Sequence, residues 1–570
     1  MIKDQKWWQK AVGYQIYPAS FYDSNGDGIG DLKGIISKLD YLVELGVDLI
    51  WVCPFFKSPR DDNGYDISNH YEVDPAFGET KDMFELINEV HKRGMKIIFD
   101  FVLNHTSDEH PWFIEARSSK DNLKRDYYIW SDGKTVDGKR LPPNNWEGFF
   151  SDSAWAYDKT SDSFYLKIFS KKMPDLNWAN PDLRQEMYKI ARYYLDIGCD
   201  GFRLDAVAHL SKDLTFSDST QPVNEHGITL DSSKFSNRKE TIEYLTEFHD
   251  EVLSKYDCVT VGEVGGMVTP SQALHYASLD KGPLDMVFNF DTAWNNNVYD
   301  LFYVKGIKQQ TKLVDMKYIF KKWFDACYGK AWLPLYWNNH DHPRVISQYG
   351  SPRFPKESGK MLGLVLLFMY GTPFIYNGEE IGMSNVNYDN LDDFNDVSDQ
   401  GYIKELLPYH NKDDILKHLC RVARTNGHEI MQWKDTENAG FSTAKPWLKV
   451  NTNYKEVNVE TEDKDKDSIL NFYRKAIKIR KQEEILDLVI NTNFELLDPN
   501  HDKVFAYLHE NDKHKLVVIA SFSEEITYFK DDVLNDKYDV LLHNYEDVNF
   551  TKGQMRLCPF EAMLLLINKE

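Results

Sequence analysis

No apolar stretch of this 570-residue chain reaches the roughly 18 uncharged residues that a membrane-spanning helix requires. The nearest candidate, MLGLVLLFMYGTPFIY (361–376), is broken by Gly371 and Pro373 and reads as a buried helix running into a strand. Positive charge is scarce too: 67 Lys and Arg stand against 90 Asp and Glu, for a formal net charge of −23. A surface of that sign repels phosphate, which excludes nucleic acid and anionic membrane as partners. Cysteine is sparse. The six residues Cys53, Cys199, Cys258, Cys327, Cys420 and Cys558 lie far apart with no CxxC spacing, so neither a zinc cluster nor a disulfide framework is expected. The opening MIKDQKWWQKAV lacks the apolar core and small-residue cleavage site of a secretory leader. A cytoplasmic chain with free thiols, monomeric or weakly homo-oligomeric, is the expectation.

Core-forming residues are plentiful, with 42% hydrophobic and 14% aromatic, including 14 Trp and 33 Tyr. Aromatic faces pack on the C–H faces of sugars as well as on one another, so this richness suits a sugar cleft without demanding one. From residue 13 strand-like apolar runs alternate with amphipathic helical stretches, the pattern of βα units. The runs are GYQIYP (13–18), VDLIWVCP (47–54), MKIIFDFVLN (95–104), DGFRLDAV (200–207), CVTVGEV (258–264), PLDMVFNF (283–290), AWLPLYWN (331–338) and TPFIYNGEE (372–380). Helical stretches such as DLKGIISKLDYLVELG (31–46) and TKDMFELINEVHKRG (80–94) separate them, the second closing on a Gly cap. Eight such runs imply an α/β fold, a closed (β/α)8 barrel.

Two connections are too long for simple crossovers, which divides the chain. Residues 1–104 form the first part of the barrel and 105–174 an inserted subdomain after strand 3, over the barrel mouth. Residues 175–486 complete the barrel, with a second polar insertion at about 381–465 after strand 8. Loops of this length usually form lids or binding walls. Beyond the helical SILNFYRKAIKIRKQEEIL (468–486), short alternating runs such as HKLVVIASF and AMLLLIN indicate an antiparallel β domain over 487–570. The charged ETEDKDKDS (460–468) reads as a solvated loop.

The chemistry lies at the carboxyl ends of three runs: Asp205 in GFRLDAVAH, Glu263 in GEV and Asp341 in NNHDHPR. Strand carboxyl ends converge on one face of a parallel barrel, where active sites are built. Arg203 precedes Asp205 by two residues and so points the same way; His340 and Arg344 flank Asp341. Cleaving a glycosidic bond through an oxocarbenium-like state needs one carboxylate to attack and one carboxylic acid to protonate the leaving oxygen. Asp205, held ionised by Arg203, suits the first role. Glu263 suits the second, since a proton donor has to hold its proton near neutral pH and neighbouring like charges favour that. Asp341 then serves as a third acid that grips the distorted sugar.

DFVLNH (100–105), GFRLDAVAH (201–209), GEV (262–264) and NNHDHPR (338–344), in this order, resemble the four signature regions of the α-amylase superfamily. More narrowly the chain resembles its oligo-1,6-glucosidase/α-glucosidase subfamily, supported by SFYDSNGDGIGDLKGI (20–35), SPRDDNGYDIS (58–68), GTPFIYNGEEIGM (371–383) and MQW (431–433). The resemblance implies a glycoside hydrolase with Asp205 as nucleophile, Glu263 as acid/base and Asp341 as transition-state stabiliser. It also implies that Asp62 and Arg424 grip a non-reducing glucose. Tyr65 would stack on that glucose, His105 and His340 would bind hydroxyls, and Asp100 would support the site. An Asp–Arg pair closing the pocket behind one glucose makes an exo-acting enzyme of short oligosaccharides.

Asp23, Asn25, Asp27 and Asp31 alternate in DSNGDGIGD, a spacing of oxygen ligands that suits a hard cation such as Ca2+, with the Ile29 carbonyl as a further ligand. No Glu stands where an EF-hand loop has its last ligand, because Gly34 is there. Related enzymes of the family carry structural calcium in this loop; no organic cofactor is implied.

Within the subfamily the residue after the nucleophile separates linkages: Val accompanies α-1,6 activity, and smaller or polar residues accompany α-1,4 activity. This chain has Ala206, which implies α-1,4 preference, with maltose and malto-oligosaccharides as substrates. Four residues depart from the subfamily pattern, namely Lys167, Met173, His342 and His428, and all are expected to line or support the acceptor side. They keep isomaltose, sucrose or trehalose 6-phosphate cleavage, and transglycosylation or isomerisation, as alternatives. A non-enzymatic relative is disfavoured because all three acids are present.

Overall fold

The computed structural model describes residues 5–150, 152–265, 268–291, 312–546, 550–551 and 553–569. Eight short strands alternate with helices: β1 (Gly13–Ile16), β2 (Leu49–Val52), β3 (Lys96–Val102), β4 (Gly201–Asp205), β5 (Val259–Glu263), β6 (Met286–Phe288), β7 (Pro334–Leu335) and β8 (Thr372–Tyr376). Each falls inside one of the eight apolar runs. All pair in parallel, in the order β6-β5-β4-β3-β2-β1-β8-β7. A parallel bridge between Met286 and Trp332 brings the two ends together, so the barrel is nearly closed. Strands covered on both faces need apolar residues at every position rather than at alternate ones. Residues of β1, β2, β4, β7 and β8 are buried throughout, which explains why their runs read as continuously hydrophobic.

Gly201 opens β4 at φ 141°, and a Cβ there would lie 1.9 Å from the Val259 carbonyl oxygen. Only glycine lets β4 and β5 approach this closely at their base, and those two strands carry Asp205 and Glu263 at their tops.

Between β3 and β4 the chain forms an antiparallel sheet of Trp130–Ser131, Ser163–Leu166 and Trp155–Asp158, with a core that includes Trp146, Trp155 and Phe164. After β8 the long insertion packs helices Val397–Leu406 and Lys412–Val422 around Tyr388, Phe394 and Leu419. The charged 460–468 segment departs from expectation. Val459–Lys464 is a helix, capped by Asn458 accepting from the Thr461 amide and braced by a Lys464–Glu460 pair. The single helix read over 468–486 is two, Ile469–Arg480 and Glu483–Asn491.

At the carboxyl end five strands form an antiparallel sheet: β9 (Asn493–Leu497), β10 (Val504–Glu510), β11 (His514–Ser521), β12 (Tyr538–His543) and β13 (Ala562–Asn568). Buried Lys317, on helix Leu313–Cys327, donates to the carbonyls of Asp498, His501 and Val504 and ties this sheet to the barrel. All six cysteines are free. Among the described residues no helix is long and apolar enough to cross a membrane.

Candidate active site

The parallel register of β3 and β4 places Asp100 beside Arg203. Arg203 Nη1 donates to Asp100 Oδ1 and to Asp205 Oδ1, both at 2.6 Å, and Nη2 pairs with Glu263. Asp205 and Glu263 close β4 and β5 and lie in hydrogen-bond contact with each other. One fully buried guanidinium thus serves three carboxylates. Burial pushes the Asp205 carboxyl well above the usual range, Arg203 pulls against it, and the charges of Glu263 and Asp100 add to the rise. Burial and the two neighbouring carboxylates thus outweigh Arg203, contrary to the expectation that the guanidinium holds Asp205 ionised.

Asp341 lies on the loop beyond β7 rather than at the strand's end. Arg424 Nε donates to Asp341 Oδ1 at 2.6 Å, and its Nη1 donates to Asp62 Oδ1 at 2.7 Å and to Asp396 Oδ2 at 3.0 Å. Burial would raise Asp341, but His340, Arg424 and Arg203 together hold it well below the ordinary carboxylate range. Asp62 is projected by a turn built on buried Asp66, which accepts from the Ser58 hydroxyl and from the amides of Asp61 and Asp62.

A buried chain of hydrogen bonds links the two acid clusters. The Gln15 amide stands 2.9 Å from His340 Nδ1, His340 Nε2 stands 2.6 Å from the Tyr65 hydroxyl, and Tyr65 reaches Asp100 Oδ2 at 3.2 Å. With Gln15 donating, the ring proton sits on His340 Nε2. Tyr65 lies flat on His340, with ring centroids 5.1 Å apart, and Trp51 donates to Asp100 at 2.9 Å. His105 packs on Phe169, and burial lowers it to about 3, so the ring is neutral.

Asp205, Glu263, Asp341, Asp62, Tyr65, Asp100, Arg203, His340 and Arg424 therefore gather in one cluster, with His105 beside it. Ala206 follows Asp205 directly, buried, in the left-handed region at φ 48°. Arg344 does not join them. Its guanidinium turns to the Asn377 carbonyl at 2.6 Å and to Glu429 at 3.4 Å, bracing the loop after β8. The four departures are all buried. Lys167 is paired with Asp152, and His428 stacks on Tyr17 at 4.8 Å. Sequence reasoning missed Asp396 and Gln15. Asp396 lies in a polar insertion with no periodic signal, and Gln15 is a polar residue inside an apolar strand, which was a usable clue.

The 23–31 loop curls through successive Asx turns, with Asn25, Asp27 and Ile29 amides donating to the side chains of Asp23, Asn25 and Asp27. Asp31 caps helix Leu32–Ser37 by accepting from the Gly34 amide. Among the described residues no three His, Cys, Asp or Glu side chains converge as a metal-binding group.

An eight-stranded parallel barrel with three acids and two arginines on its carboxyl rim defines a barrel enzyme built to stabilise a cationic sugar. The family described as alpha amylase, catalytic domain, matches residues 15–488. An oligo-1,6-glucosidase of Bacillus cereus is 44% identical over 569 residues, covering 98% of this chain and 99% of its own length. An alpha-glucosidase of Pediococcus pentosaceus is 41% identical, covering 98% of each chain. The crystal structure of a Bacillus licheniformis trehalose-6-phosphate hydrolase superposes with a TM-score of 0.91 at 37% identity, over 99% of this chain and 100% of the other. The chain belongs to the α-amylase family and is a retaining glycoside hydrolase of its oligo-1,6-glucosidase/α-glucosidase group.

Proposed function

We propose that the enzyme releases glucose from the non-reducing end of short α-glucosides, with α-1,4 linkages preferred. The observation that carries this reading is the Arg424 bridge from Asp62 to Asp341. It walls off the pocket behind one glucose, so chain ends enter and chain interiors do not. Asp205 attacks the anomeric carbon, and Glu263 gives its proton to the leaving oxygen. Glu263 then takes a proton from the water that releases glucose from Asp205. Asp341 and Arg424 hold the hydroxyls while the ring flattens, and His105 and His340 add hydrogen bonds.

Linkage preference rests on Ala206. A left-handed position disfavours a β-branched residue, and the small side chain leaves room at the acceptor side. Cleavage of α-1,6 linkages is the second reading, favoured by the name of the Bacillus cereus relative. A phosphorylated substrate is disfavoured because Lys167, the basic candidate for that group, is already occupied by Asp152. Product analysis with maltose, isomaltose, sucrose, trehalose and trehalose 6-phosphate decides among these. Faster cleavage of isomaltose than of maltose refutes the α-1,4 preference.

The loop at 23–31 is assigned to a structural calcium ion, held by Asp23, Asn25, Asp27, the Ile29 carbonyl and Asp31. Hard oxygen donors at alternating positions support the assignment; their side-chain oxygens now accept amide hydrogen bonds and have to turn inward to meet the ion. Calcium at a hundredfold excess over its Kd adds about 2.7 kcal/mol of stability, so a melting temperature unmoved by chelator overturns it. A cytoplasmic location, supported by the free cysteines, and a monomeric or weakly associating chain complete the reading.

A further inference from the structure

A further buried cation, Lys212, belongs to neither arginine cluster. The Lys212 side chain is sealed from solvent, with its ammonium 3.0 Å from Asp175 Oδ2. It also donates to Asn104 Oδ1 at 2.6 Å. The same Asn104 amide places Nδ2 3.2 Å from His105 Nδ1.

These contacts leave no freedom in the direction of the hydrogen bonds. An ammonium has donors only, so the amide oxygen of Asn104 has to face Lys212. The amide nitrogen then faces the imidazole and can only donate, which makes His105 Nδ1 the acceptor. A neutral imidazole carries one ring proton, and here it is left on Nε2. Burial, with the Lys212 charge adding to it, keeps the ring neutral. Nε2 is itself buried and makes no hydrogen bond of ordinary geometry within the protein, the Tyr65 main chain being near enough to accept only a weak one.

We infer that Lys212 is a positioning residue: acting through Asn104, it fixes His105 as the Nε2–H tautomer, a ready donor to a sugar hydroxyl. The tautomer follows from the hydrogen-bond geometry of a buried, neutral ring, whereas the sugar as recipient rests on the proposed function. Lys212 is matched in charge by Asp175, so the pair is electrically neutral where it lies. Its effect on His105 is therefore mainly one of orientation.

Nitrogen-15 NMR of the full chain, labelled at histidine, reads the tautomer directly, with His105→Gln assigning the signal. An Nε2–H pattern that does not titrate between about pH 5 and about pH 9 is expected. Lys212→Met frees the amide to rotate, so the signal should divide between tautomers. KM for a small α-glucoside should rise about tenfold, the worth of one substrate hydrogen bond, with kcat changed less. Lys212→Met combined with Asp175→Asn gives the same result without stranding a buried carboxylate, should the single variant fold poorly. An Nδ1–H pattern in the wild type overturns the inference, as does an unchanged spectrum and KM in the double variant. If the spectrum is as expected but His105→Gln leaves KM unmoved, the tautomer stands and the hydroxyl-binding role of His105 falls.

Discussion

Replacing Ala206 by Val tests how linkage preference is encoded. The backbone there sits at φ 48° and ψ 30°, and the side chain is 3% exposed, immediately after Asp205. Left-handed backbone costs an L-residue roughly 1–2 kcal/mol, and a β-branched side chain fares worse there than alanine does. The two added methyl groups must also find space beside Asp205. A methylene-sized change in such a wall discriminates between substrates by about 1–3 kcal/mol, or roughly 10- to 200-fold in kcat/KM. The predicted outcome is a fall in kcat/KM for maltose of about that size, with isomaltose reduced far less, so the maltose-to-isomaltose ratio shifts towards isomaltose. Ala206→Gly serves as the control: it relieves the strained backbone without filling the wall, and should keep the wild-type ratio. Initial rates on both disaccharides give the answer. A ratio that moves less than about threefold in Ala206→Val, below the 1 kcal/mol end of the range, refutes the argument.

Arg424→Met strands Asp62, Asp341 and Asp396 without their shared cation. Breaking a buried pair in this way costs about 3–5 kcal/mol, measurable by urea unfolding, and an unchanged midpoint contradicts the bridge. Stability should also depend on pH through buried rings. His105, His209, His342 and His428 are each lowered from 6.5 to about 3, so the unfolded chain takes up more protons across that interval. Stability therefore falls as pH drops from 6.5 towards 3, and a melting temperature flat over this window would count against their burial. Glu379 and Glu429 act in the opposite sense. Raised from 4.5 to about 8, they keep a proton in the fold that the unfolded chain has lost, so stability also declines as pH rises through that interval.

Much of this was legible because burial on both faces writes itself into sequence. β4 and β5 are buried at nearly every position, so the acids that end them stand out. Asp341 was identified by its motif, but its position was not, since β7 is short and a loop carries the acid onward. Long-range pairings left no trace in the sequence. Arg344 and Arg203 look alike beside their acids, yet only Arg203 faces them, because the register with β3 turns it into the barrel whereas Arg344 follows a loop to Glu429. The helix Val459–Lys464 escaped notice because it has no apolar face. Its cap and ion pair stabilise it, and neither produces a period. The acceptor-side departures were judged by their place in the motifs, and all four are buried.

The central claim is that Asp205 attacks the sugar. A slow fluorinated α-glucosyl fluoride, incubated with the wild-type enzyme and followed by digestion and mass spectrometry, captures the covalent intermediate. One glucosyl unit on Asp205, in the peptide containing GFRLDAVAH, is the predicted result. Label on Glu263 or Asp341, or turnover with no label on Asp205 at any time, contradicts the account.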